Sequence, residues 1–162
     1  SQAVSVTIDI AVEAESWHRI LGAELIAHRA ARAAFDDAGV NEGEVSILLA
    51  DDTKIRELNR AYRGKDKPTN VLSFPSDDTT EHGARFYGDI ALAYETLSRE
   101  ALDESKRLDA HLSHLVVHGV LHLLGFDHER EHDAEAMEAR ETRIVTRLGF
   151  ADPYAFTAEE SA

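Results

Sequence analysis

The thirteen residues from Leu112 to Leu124 constrain this chain more than any other stretch. They read Leu-Ser-His-Leu-Val-Val-His-Gly-Val-Leu-His-Leu-Leu. At about 100° per residue, the apolar side chains cover most of a helix circumference, and a helix that is apolar nearly all round lies inside a protein. The run is far short of the roughly 20 residues that cross a bilayer. The fold must therefore bury this helix among other elements. One stripe departs from the pattern. Taking His114 as the origin, His118 lies about 40° and His122 about 80° around the axis. The predicted buried helix thus has a single narrow polar face, and that face is imidazole.

The rest of the chain supplies the wrapping. Its 162 residues are one domain's worth, enough for a real core. Val4 to Ile10 alternates as a strand. Trp17, Ile20, Leu21 and Leu25 fall at helical spacing and predict a helix to about Ala38, stopped by Gly39. Val45–Leu49 reads as a buried strand. Ile55, Leu58 and Tyr62 mark one face of a second helix, entered at Asp51 to Thr53 and ended by Gly64. Val71–Phe74 is a strand between Pro68 and Pro75, and Tyr87–Tyr94 alternates as a fourth. Two or three helices follow, to about Leu148. Strands interleaved with helices and then a helical second half predict an α/β (α+β) fold: a small mixed sheet of about four strands packed with helices. Residues 1–150 form one domain in this reading, and 151–162 a short, acidic, frayed tail.

The histidine spacing carries the chemistry. His118 and His122 are one turn apart, so both rings reach one ion. Gly125 is free to take the left-handed conformation that stops a helix, and Phe126 and Asp127 carry the chain around to bring His128 to the same point. The chain has no cysteine, so a transition-metal site must use histidine and carboxylate. Three imidazoles on one metal leave a fourth position open, the catalytic rather than the structural pattern. Zinc and nickel both accept such a set. Asp127 either orients a ligand imidazole or shapes the turn. His114 is a partner of the ligands, a substrate contact or a packing residue. His111 is expected to see solvent, and His18, His28, His82 and His132 are read as surface residues.

The segment from His118 to His128 has the spacing of the metzincin peptidase motif, H-E-x-x-H-x-x-G-x-x-H, a zincin-like pattern. The general-base Glu of those enzymes is Gly119 here, which argues against peptidase chemistry. Charge points elsewhere. The net charge is −14, which opposes whole-surface binding of a polyanion. Yet between Lys54 and Lys67 six cations (Lys54, Arg56, Arg60, Arg63, Lys65, Lys67) face only two acids (Glu57, Asp66). This segment is either a solvated helix face or a binding patch.

Three blocks resemble the bacterial YbeY family. The first is His114-x-x-x-His118-Gly119-x-Leu121-His122-Leu123-x-Gly125-x-Asp127-His128. The second is Leu58-Asn59-x-x-Tyr62-Arg63-x-Lys65-Asp66-x-Pro68-Thr69-Asn70-Val71-Leu72-Ser73-Phe74-Pro75, and the third Gly88-Asp89-Ile90. They fall in the family's order within roughly Ile47 to Leu148. Phe126 stands where Tyr is usual. The resemblance implies a single-strand-directed, metal-dependent endoribonuclease acting in ribosomal RNA maturation, notably at the 3′ end of the small-subunit RNA, and in ribosome quality control. It implies one Zn2+ per chain on His118, His122 and His128, and Arg63 as the catalytic arginine.

Arg63 suits that role, because a planar guanidinium grips two phosphate oxygens. The competing role is capping the last carbonyls of its helix. Arg60, Lys65 and Lys67 are candidate phosphate contacts. Thr69, Asn70 and Ser73 either line the cleft or belong to an ordinary turn and strand, and Asp89 either pairs with a cation or opens its strand. The family also implies small-subunit ribosomal proteins and an Era-type GTPase as partners. Ser1 to Ile10 lacks the layout of a secretory signal, and a cytoplasmic protein with no membrane association is expected. Two other readings compete: a zinc peptidase, and a non-catalytic ribosome-assembly factor with a structural metal.

Overall fold

The computed structural model describes residues 5–127 and 131–155. Four strands form one sheet in the order β1-β2-β4-β3. They are β1 Thr7–Val12, β2 Glu44–Ala50, β3 Val71–Pro75 and β4 Phe86–Ala93. β1 pairs parallel with β2 and β2 with β4, while the edge strand β3 runs antiparallel to β4. The sheet is thus small and mixed. The helices are α1 Ala23–Asp37, α2 Asp52–Arg63, α3 Tyr94–Asp103, α4 Leu108–Leu123 and α5 Glu131–Arg147.

The sheet divides the core in two. One face carries Val45, Ile47, Leu49, Ile90 and Leu92, which pack with α1, α4 and α5. The other carries Ala50, Leu72, Ala91 and Ala93, covered by Ile55 and Leu58 of α2. Side chains alternate between faces along a strand, so β4 is apolar at consecutive positions where both faces are covered.

The helix expected from Trp17 onward divides. Glu15–Arg19 is a short 3-10 helix. Gly22, with φ of 70°, then turns the chain before α1 begins. The break lets the Trp17 indole donate to the Ala50 carbonyl at 2.8 Å, inside the core. It also leaves Leu21 and Leu25 exposed, contrary to the helical spacing. The buried face of α1 is built from Ala23, Ala27, Ala30, Ala31, Ala34 and Phe35 instead. Small side chains there allow α1 to lie close against α4.

α4 is buried as its composition demands. From His111 to Leu123 every residue is buried except His118 and His122. His111 departs from expectation: it is 5% exposed and not at the surface, because α3 and the Glu100 carboxylate cover it.

Candidate metal centre and cleft

His118 and His122 face a pocket of about 280 Å3. Among the described residues its lining is Arg63, Asn70, Val71, Ser73, Pro75, His118 and His122. Three elements meet there: the last turn of α2, the edge strand β3, and the exposed stripe of α4. Of the candidates from sequence, Arg63, Asn70, Ser73, His118 and His122 come together. His128 lies outside the described residues. Asp127 is exposed beyond the turn, and Arg60, Lys65 and Lys67 are exposed on the end of α2 and the loop after it.

The two imidazoles converge, with Nε2 of His118 and Nε2 of His122 3.1 Å apart. Two nitrogens on a tetrahedral zinc, each at about 2.0–2.1 Å, stand about 3.3 Å from each other. The pair therefore fits one divalent ion at Nε2. The turn after α4 also follows expectation. Gly125 has φ of 96°, its N–H bonds the His122 carbonyl at 3.0 Å, and the Phe126 N–H bonds that of Leu121 at 3.0 Å. Phe126 offers its ring face to the Arg140 guanidinium at 4.5 Å.

His118 is held from behind by a residue that the sequence reading missed. Its Nδ1 lies 3.0 Å from Oε2 of Glu141 on α5. A carboxylate only accepts, so the Nδ1 carries the proton and Nε2 keeps the lone pair. Glu141 is 1% exposed. Its other oxygen, Oε1, receives the His114 Nε2–H at 2.5 Å and the Tyr154 hydroxyl at 2.6 Å. Burial alone would raise the Glu141 pKa. The hydrogen bonds from His114, His118 and Tyr154 outweigh it and hold the carboxyl down at about 2. Burial and the Glu141 charge together push the Tyr154 phenol well above its ordinary range. His114 thus serves this buried cluster and does not line the cleft. The one sequence signal for Glu141 is its place in the stripe Met137, Glu141, Ile144, Val145: a carboxylate where an amphipathic helix shows its core face.

A second carboxylate, the half-buried Glu100, frames the opposite wall. Asn70 Nδ2 donates to Glu100 at 3.0 and 3.2 Å, and Asn70 Oδ1 accepts the Val71 N–H at 2.7 Å. His111 Nε2–H donates to the same Glu100 at 2.8 Å. Burial lowers the His111 pKa, against the pull of Glu100. Ser73 also has a structural partner, since its hydroxyl donates to the Gly119 carbonyl at 3.1 Å and ties β3 to α4. Asn59, 3% exposed, holds the Lys67 carbonyl at 2.8 Å and fixes the loop leading to Asn70.

Gly119 stands where the peptidase motif has its Glu. A Cβ there would lie 3.0 Å from Ile90 Cγ2 and 3.3 Å from Ser73 Oγ. This face of α4 abuts the sheet closely, and a side chain there would require Ile90 and Ser73 to give by a few tenths of an ångström. Among the described residues no hydrogen bond joins the Arg63 side chain to the last carbonyls of its helix. The end of α2 is capped by backbone: the Gly64 N–H bonds the Arg60 carbonyl and the Lys65 N–H that of Asn59. Arg56 is paired with Asp66 at 2.7 Å, whereas among the described residues Arg63 has no carboxylate partner.

A buried helix that turns two convergent histidines into a cleft, with an arginine on the far wall, on a mixed α/β sheet, is an arrangement suited to a metal-dependent hydrolase. A family model described as endoribonuclease YbeY matches residues 9–149, and the chain belongs to that family. Its relatives include proteins named Endoribonuclease YbeY from Rhodopseudomonas palustris strain HaA2 and from Bradyrhizobium diazoefficiens. The first is 50% identical over 157 residues, covering 91% of this chain and 80% of the relative. The second is 52% identical over 154 residues, covering 91% and 84%. The solution structure of a Thermotoga maritima protein has the same fold, with a TM-score of 0.61 at 24% identity, covering 93% of this chain and all of that one. No helix among the described residues is long and apolar enough to cross a membrane.

Proposed function

We propose that this chain cleaves phosphodiester bonds in single-stranded RNA at the cleft between α2, β3 and α4. It does so as a metal-dependent endoribonuclease of ribosomal RNA maturation. The observation that carries the reading is the meeting of Arg63 with His118 and His122 on one pocket of about 280 Å3. The ion we assign is zinc, one per chain, on the Nε2 atoms of His118 and His122 with His128 as third ligand. When bound, it supplies Lewis acidity to a phosphate oxygen and makes a water more acidic.

The chain's own groups do the rest. Phosphodiester cleavage gathers negative charge on the nonbridging oxygens, and the Arg63 guanidinium offers two parallel N–H donors to them. Glu141 accepts from His118 Nδ1 and so selects the tautomer whose Nε2 lone pair faces the cleft. Glu100 holds Asn70 on the cleft wall. Arg60, Lys65 and Lys67 add sequence-independent attraction for the phosphates on either side. By family, the substrate is the 3′ end of the small-subunit ribosomal RNA, with a role in ribosome quality control. The partners are small-subunit ribosomal proteins and an Era-type GTPase, and the work is done in the cytoplasm.

The test pairs two variants with the wild type on a single-stranded oligoribonucleotide, with elemental analysis of each protein. Arg63→Ala is expected to lose cleavage and keep its metal, and His122→Ala to lose both. Cleavage at the wild-type rate by Arg63→Ala removes Arg63 from the mechanism. Stoichiometric metal in His122→Ala removes the histidine site.

A further inference from the structure

The apolar stripe of α2 runs Ile55, Leu58, Tyr62, but the three fare differently. Ile55 is fully buried and Leu58 half-buried, while Tyr62 is 72% exposed. The last turn of the helix projects past the core it covers. Among the described residues the Tyr62 ring has one aromatic neighbour, Phe74 on the edge strand β3, at 5.3 Å between centroids and 57° between planes. Leaving so much ring in water forgoes the stabilisation that burial brings.

Its surroundings give that exposure a use. Arg63, the next residue, lines the cleft with His118 and His122. Arg60, Lys65 and Lys67 stand exposed within five residues on either side. Asp66 is taken up by Arg56 and so does little to cancel those charges. Cations for the backbone beside an open aromatic face for the base make up the chemistry by which proteins hold single-stranded nucleic acid. A base locked in a duplex cannot lie on such a ring, whereas an unpaired one can.

We propose that Tyr62, braced by Phe74, is a stacking platform for one unpaired nucleobase beside the phosphate that Arg63 grips. The proposal rests on the RNA-cleaving reading above and adds to it a physical source for the preference for single strands.

The experiment measures binding of a fluorescent single-stranded oligouridylate by the metal-loaded protein, by stopped-flow anisotropy before cleavage sets in. Tyr62→Ala is expected to weaken binding by roughly 5- to 150-fold, the range for loss of one base–aromatic stack. Tyr62→Phe, which keeps the ring, is expected to bind within about two-fold of wild type. The salt dependence of Tyr62→Ala should match wild type, since no phosphate contact is removed. A set of the same RNA with single abasic positions completes the test. One position should weaken wild type strongly and Tyr62→Ala hardly at all. If wild type binds and cleaves the RNA but Tyr62→Ala binds equally well, the platform is wrong and the nuclease reading stands. If wild type neither binds nor cleaves it, both fall. Thermal unfolding of Tyr62→Ala near the wild-type midpoint, expected for so exposed a side chain, excludes misfolding as the cause.

Discussion

At the scale of single residues, the cleft depends on two positions behind its lining, Gly119 and Glu141. Gly119 makes room. Its missing Cβ would stand 3.0 Å from Ile90 Cγ2; overpacking costs about 1–3 kcal/mol and Ala gains about 1 kcal/mol over Gly inside a helix, so Gly119→Ala is expected to destabilise the protein by up to about 2 kcal/mol. Urea unfolding measures this, and an unchanged midpoint would mean that Ile90 yields freely. Glu141 positions. Outer partners of ligand histidines commonly carry 10- to 100-fold in metal affinity. Glu141→Gln keeps the shape but loses the charge on which His114, His118 and Tyr154 converge. We expect zinc affinity, read by competition with a chromophoric chelator, to fall by about 10- to 100-fold. Equal affinity would reduce Glu141 to a packing residue. The contrast between these two positions shows what was legible. Gly119, His118 and His122 are neighbours along one helix, and helical periodicity alone brings the imidazoles together. Glu141 and Tyr154 reach His114 and His118 from well downstream in the chain, and no local pattern records that approach. Asn70 was legible only as a cleft candidate. Its amide turns out to be committed to Glu100, a carboxylate thirty residues away whose sequence surroundings mark it as an ordinary helix residue.

At the scale of elements, the strands and α2 follow their sequence patterns because caps and alternation are local. Asp51 accepts the Lys54 N–H at 2.8 Å at the start of α2, and β2, expected as a buried strand, buries Val45, Ile47, Leu49 and Ala50 with half-buried residues between. The first helix does not follow, because its hydrophobic spacing competes with Gly22 and with the demand of Trp17 for a buried acceptor. Tertiary context overrides periodicity there. Helix α1 is secured at its far end by a contact equally invisible in sequence. Asp37 takes Arg143 Nε at 2.9 Å, Arg143 Nη2 at 2.8 Å and Arg140 Nη1 at 2.8 Å, all from α5. The Arg143 hydrogen bonds foremost, against the opposing effect of burial, hold the Asp37 carboxyl below its ordinary 3.8. A carboxyl whose folded pKa is depressed stabilises the fold above its unfolded value, and that contribution is lost as pH falls through the folded one. Asp37→Asn should therefore cost about 1–3 kcal/mol near neutrality, typical for hydrogen bonds to a charged group. The gap to wild type should close progressively below pH 3.8. Urea unfolding of both proteins across that range checks it, and a gap independent of pH would place the effect in packing.

At the scale of the molecule, a chain of net charge −14 is a poor general binder of polyanions, and its attraction for RNA must be local. The cations beside the cleft, Arg60, Arg63, Lys65 and Lys67, work against a repulsive background. Phosphate contact and long-range repulsion differ in how they respond to salt. Each phosphate neutralised on a single strand contributes about 0.7 to the slope of log affinity against log salt. Replacing Arg60, Lys65 and Lys67 together by Gln removes up to three contacts and should flatten that slope by up to about 2. The same change should raise KM at low salt. Binding isotherms at several ionic strengths read the slope directly. A triple variant with the wild-type slope would show that these residues only offset the acidic surface and do not touch the backbone. Phosphate recognition would then fall to Arg63 alone, and the cleft would hold RNA by its chemistry rather than by its charge.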